Sequence, residues 1–123
     1  NIPSLMAIAN DVGWDDIFIE PLKNFLKPED VVIGISGSGN SKNVLKAIYY
    51  SKEIGAKTIG MTGFSGGELK NICDLSIHSP ANDMEIAEDI HMAVFNMVKK
   101  EVMSVLMPKN ASMGETYDNR ITK

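Results

Sequence analysis

The chain is poor in cysteine, histidine and aromatic residues, and it has no excess of positive charge. A single cysteine, Cys73, excludes an internal disulfide and suits a reducing compartment, so the expected location is the cytoplasm. Its setting, Ile72-Cys73-Asp74-Leu75, makes a buried structural thiol the expectation. Twelve Lys and Arg stand against sixteen Asp and Glu, a net charge of −4, and no basic stripe is present. Direct nucleic-acid binding is therefore not expected. No run of about 18 apolar residues occurs, so no membrane-spanning helix is expected. There is no internal repeat and no low-complexity segment. What remains is ordinary: 44% hydrophobic and 23% charged over 123 residues, enough for one domain with a real core.

The centre of the chain is Val31-Val32-Ile33-Gly34-Ile35-Ser36-Gly37-Ser38-Gly39-Asn40-Ser41. The Val/Ile run reads as a buried parallel strand. Apolar residues at Val44, Leu45, Ala47, Ile48 and Ile54 then follow helical period. The unit is strand, small-residue loop, helix, and ligands of open α/β sheets bind at such a loop. Gly37 and Gly39 let a ligand approach the backbone, and Ser36, Ser38 and Ser41 offer hydroxyls. The helix start adds free N–H groups and a favourable dipole. No carboxylate lies between Asp30 and Glu53. The pattern points to phosphate, with an ordinary helix cap as the alternative. It is neither a Walker loop nor a dinucleotide fingerprint.

Around this unit, Ser4 could cap a brief helix through Ala9, and Asn10-Asp11-Val12-Gly13 reads as a turn. Trp14 to Leu26 reads as a helix with its apolar face at Ile17, Phe18, Leu22, Phe25 and Leu26. Thr58–Thr62 reads as a second strand, followed by a small-residue loop at 63–67 and a short helix from Glu68 to Ile72. Leu75–His78 reads as a third strand, with His78 expected as a solvated polar residue. Asp83 or Asn82 caps the longest helix, Met84 to Leu106, which is apolar over a wide arc. That arc suggests burial against another subunit.

Ile-Ser-Gly-Ser-Gly-Asn-Ser resembles the phosphosugar loop of SIS (sugar isomerase) domains, most closely the phosphoheptose isomerase type. Three further pieces agree in order: Asn10-Asp11 with Asp16-Ile17-Phe18, Thr62-Gly63-Phe64-Ser65-Gly66-Gly67, and Glu88-Asp89-Ile90-His91. The likeness covers about residues 4–107. It implies a three-layer α/β/α sandwich with a mainly parallel sheet, Rossmann-like but not dinucleotide-binding. Domains of this type normally begin with helices and another Gly/Ser loop. Residues 1–107 are thus expected to be the second half or more of a SIS domain, and 108–123 a flexible polar tail.

The resemblance also implies roles. Ser36, Gly37, Ser38, Gly39, Asn40 and Ser41 hold a sugar phosphate, while Asp11 and Thr62 line the rim. Glu85 and Glu88 stand where the family has an Asp and a Gln facing substrate and metal. Read alone, acidic residues in a first helical turn are what the helix dipole favours. Asn96 replaces a His that serves in the family as acid/base and zinc ligand. Neutral Asn transfers no protons and is a poor zinc ligand, so no metal ligand is assigned and zinc is doubtful. The replication-initiator-associating proteins of the family also carry Asn at this position and act by binding.

Two functions fit these residues. One is an aldose–ketose isomerase of phosphosugars with Glu88 and Glu85 as catalytic carboxylates. The other is a non-catalytic phosphosugar-sensing or scaffold module that binds a protein partner. A nucleotide-binding protein is disfavoured by the missing fingerprints. A homo-oligomer, dimer or tetramer, is expected through the 84–106 helix.

Overall fold

The structure is a computed structural model that describes residues 1–107; the expected tail at 108–123 lies outside the described residues. Helix α1 spans Ile2–Asp11 and is capped one turn earlier than Ser4 would allow. Asn1 Oδ1 accepts from the Ser4 N–H at 3.4 Å, and Pro3 sits in the first turn, where its missing N–H costs nothing. The expected helix over Trp14–Leu26 is divided instead. Trp14–Asp16 is one 3-10 turn, and α2 runs from Ile19 to Phe25. Pro21 explains the break: its ring would meet the carbonyl four residues back, so a helix can start just before it but not pass through it. Asp16 accepts from the Lys46 ammonium at 2.6 Å, which ties the turn to α3.

The rest of the fold alternates. Strand β1 is Val31–Ser36, α3 is Lys42–Ile54, β2 is Lys57–Thr62, α4 is Leu69–Ile72 and β3 is Leu75–His78. The strands form a parallel sheet in the order β1-β2-β3 among the described residues. Val44, Ile48 and Leu69 make the buried core, with Val32, Leu45, Ile72 and Cys73 packed against it. Helix α3 closes tightly on β1 because Gly34 has no side chain; a Cβ there would approach Ile48 to 3.0 Å. Val31, Ile33 and Ile35, which alternate with the buried Gly34 and Ser36, are largely exposed.

A carboxylate clamp joins the starts of β2 and β3. Asp74 Oδ2 accepts from the Thr58 N–H at 2.8 Å and from the Thr58 hydroxyl at 2.9 Å. These two bonds, aided by the Lys52 and Lys57 ammonium groups, hold the Asp74 carboxyl below its ordinary value of 3.8. A lowered carboxyl stabilises the fold above that value and loses its contribution as pH falls through the folded pKa. Asp74→Asn is therefore expected to lower the melting temperature at neutral pH. The gap to wild type should narrow as the pH is taken below 3.8; a gap independent of pH would show that the charge contributes nothing. Next to it, burial pushes the half-buried Cys73 thiol up, in keeping with a structural role.

Helix α5 is Met84–Leu106. Asp83 is its cap, accepting from the Ile86 N–H at 3.0 Å. Asn1–His91 form one compact unit, and a second begins at Met92. Within the first, Ala87 and His91 of α5 are buried. Within the second, Met97, Val98, Val102, Val105 and Leu106 are exposed. No described helix is long and apolar enough to cross a membrane.

Candidate functional site

The strand register builds the floor of the site. Ser36 pairs with Thr62 and Thr62 with His78, so one row of three polar residues ends the sheet at its carboxyl edge. All three loops that leave the strands start from this row. Here the helix dipole of α3 and the strand-end loops converge, as in other open α/β sheets.

Ser36 shapes the first loop from inside. It is buried, and its hydroxyl accepts from the Gly39 N–H at 3.1 Å and the Ser41 N–H at 3.4 Å while donating to Ser41 Oγ at 3.0 Å. The Gly39 N–H also reaches the Ser36 carbonyl at 2.9 Å. Ser36 thus spends its hydroxyl on the loop itself. The Ser38 side chain is exposed and accepts from the Asn40 N–H at 3.2 Å. Ser41 precedes α3 but makes no side-chain cap bond. The N–H groups of Lys42 and Asn43 have no hydrogen-bond partner among the described residues. Unpartnered N–H groups at a helix start are the kind of donor an anion can use.

The second small-residue loop is locked onto the first. The Leu69 N–H donates to the Gly39 carbonyl at 2.9 Å, and the Glu68 N–H to Asn40 Oδ1 at 3.0 Å. Asn40 therefore serves the start of α4, and the 63–67 loop frames the first loop instead of forming a separate cradle. Gly63 N–H donates to the Gly37 carbonyl at 2.8 Å. A Cβ on Gly37 would overlap the Met84 sulfur, so the first turn of α5 lies directly on the loop.

The other expected site residues are placed unevenly. Thr62 is fully buried instead of lying on an open rim, and its Oγ1 is 3.1 Å from His78 Nδ1. His78 is half-buried and bonded, not the solvated residue the sequence suggested; its pairing with Thr62 depends on strand register, which no local pattern reveals. Asp11 ends α1, exposed, and accepts from Asn10 Nδ2 at 2.7 Å. On α5, Met84, Ala87 and His91 form the inward stripe. At about 100° per residue, Glu88 flanks that stripe and Glu85 lies further round. Both are exposed, and neither forms an ion pair among the described residues. Among the described residues no three His, Cys, Asp or Glu side chains stand together as metal ligands. His91, the histidine of α5, is 3% exposed and gives Nε2 to the Thr62 carbonyl at 3.1 Å.

Known proteins place this geometry. A probable phosphoheptose isomerase of Thermoplasma acidophilum is 43% identical over 98 residues, 80% of this chain and 54% of the relative. The phosphoheptose isomerase of Helicobacter pylori strain P12 is 39% identical over 95 residues, 77% of this chain and 50% of the relative. The chain thus spans about half the length of the curated relatives it matches. Among solved structures, phosphoheptose isomerase from Neisseria gonorrhoeae superposes with a TM-score of 0.76 at 29% identity, covering 79% of this chain and 55% of that one. The Francisella tularensis phosphoheptose isomerase gives 0.75 at 25% identity, covering 79% and 52%. The fold is that of these proteins, and residues 2–63 match the SIS domain itself. With the sheet, the serine loop and this match together, the chain belongs to the SIS domain family.

Proposed function

We propose that this sequence serves a sugar-phosphate isomerase of the phosphoheptose isomerase type. The observation that carries the reading is the serine loop, which Ser36 holds in shape while the Lys42 and Asn43 N–H groups have no partner among the described residues. Ser38 and Ser41 would donate hydroxyls to the phosphate, beside the Lys42 and Asn43 N–H groups. Gly37 and Gly39 would let the loop pack closely against Met84 and Gly66, and Asn40 would keep the loop in register with α4. Asp11 would face the sugar, and Thr62 would back the site from inside.

Aldose–ketose isomerisation moves a proton between adjacent carbons through an enediol, while a second proton moves between the two oxygens. Glu88 would take the carbon-bound proton of the aldose and return it to the neighbouring carbon. Glu85 would assist at the hydroxyl. A base as exposed as Glu88 is here would need the bound sugar to shield it from water. Zinc has no part in this proposal.

The second reading is a phosphosugar sensor that binds a protein partner. Asn96, which cannot transfer a proton, favours it. The two separate in deuterated water. Sedoheptulose, fructose, arabinose and ribulose phosphates would be incubated with the protein and the proton beside the carbonyl followed by NMR. Exchange above a Ser36→Ala/Ser38→Ala control is expected of the isomerase. Saturable binding without exchange would leave only the sensor.

The exposed apolar residues of α5 beyond Met92 support a homo-oligomer, dimer or tetramer, through this helix. Light scattering during gel filtration is expected to show more than one copy; a monomer at all concentrations would remove the idea. The unpaired Cys73 supports a cytoplasmic location.

A further inference from the structure

We propose that His91 is a positioning residue that sets the phosphate loop through one peptide group. The peptide between Thr62 and Gly63 is a rigid plane. At one end, the Thr62 carbonyl accepts from His91 Nε2 at 3.1 Å and from the Ser79 N–H at 2.8 Å. At the other end, the Gly63 N–H donates to the Gly37 carbonyl at 2.8 Å. Gly37 lies within the serine loop. A shift of this plane therefore moves the loop, and His91 is the only side chain that grips it by a hydrogen bond among the described residues.

The chemistry of the imidazole fixes its form. A carbonyl oxygen only accepts, so Nε2 must carry the hydrogen. Nδ1 is buried with no hydrogen-bond partner among the described residues, and the same holds for Ser79 Oγ. Packing alone does not account for the residue. A leucine would fill the stripe beside Ala87 without orphaning a nitrogen, whereas a buried unsatisfied polar atom is costly. What the histidine adds is one directed N–H at the far end of a short, stiff side chain. Gln reaches a similar point with its amide N–H; Asn and Leu do not.

The inference deepens the proposed function and rests on it only for the ligand. Two readouts keep them apart. Nitrogen-15 NMR of the whole protein is expected to show the Nε2–H tautomer at His91; an Nδ1–H tautomer would overturn the assignment. The Gly37 and Gly63 amide signals are expected to move in His91→Leu and to return toward wild type in His91→Gln. If the leucine variant does not fold, His91→Asn replaces it, since its donor falls short of Thr62. Sedoheptulose phosphate is expected to bind about tenfold more weakly to the leucine or asparagine variant, and nearly normally to glutamine. Amide shifts that follow this pattern in a protein that binds no sugar phosphate would refute the function and leave the positioning role standing. Unmoved Gly37 and Gly63 amides in both donor-less variants would refute the role itself.

Discussion

Gly39→Ala is expected to destabilise the protein by about 2–5 kcal/mol. Two effects add. Gly39 has φ +69°, the left-handed region, where a Cβ costs about 1–2 kcal/mol. The added carbon would also overlap the Gly66 carbonyl, and Gly67 Cα would lie 3.0 Å away. Both are backbone, so no side-chain rotation relieves the clash, and overpacking of this kind costs about 1–3 kcal/mol. Moving the loops apart would break the Leu69 N–H bond to the Gly39 carbonyl. Gly55 gives the control. It ends α3 at φ +92°, but its notional Cβ meets only Pro28 Cβ, at 3.9 Å. Gly55→Ala should cost only the conformational part, about 1 kcal/mol. Urea titrations of both variants check this; equal losses would mean that the loop contact carries no weight.

The second large effect is on turnover. If the isomerase reading holds, Glu88→Gln keeps the size and position of the side chain but removes the base. A fall in kcat of about 10²–10⁴-fold is expected, with binding of the sugar phosphate changed little. Glu85→Gln should do less, because Glu85 lies further from the stripe of α5 that faces the loops. Turnover retained in Glu88→Gln would end the assignment of Glu88. No turnover in the wild type, with binding intact, would favour the sensor and make Asn96 the decisive residue.

Helix, strand and loop were legible where local rules dominate. The Val/Ile run and the helical period gave the bounds of β1 and α3 with little error, because β-branched runs and apolar spacing act over a few residues; the expected burial of β1 fails on the face of Val31, Ile33 and Ile35, which is exposed. The Trp14–Leu26 segment was misread because the apolar period outlasts the helix that Pro21 permits. Ser4 was misread as a cap because Asn1 offers the same oxygen three residues earlier.

The site divides in the same way. Sequence alone determined that a Gly/Ser loop joins β1 to α3 and which side chains it carries, since composition and order fix the chemistry on offer. Only the tertiary structure decided which of those groups remain free. Ser36 turned inward, Asn40 went to α4 and Thr62 was buried against His78, because parallel register brought Ser36, Thr62 and His78 into one row. His91 gained its grip on Thr62 the same way, through a contact between residues 29 positions apart. Such pairings depend on how strands and helices meet in space, and a residue's own neighbours in the chain carry no record of them.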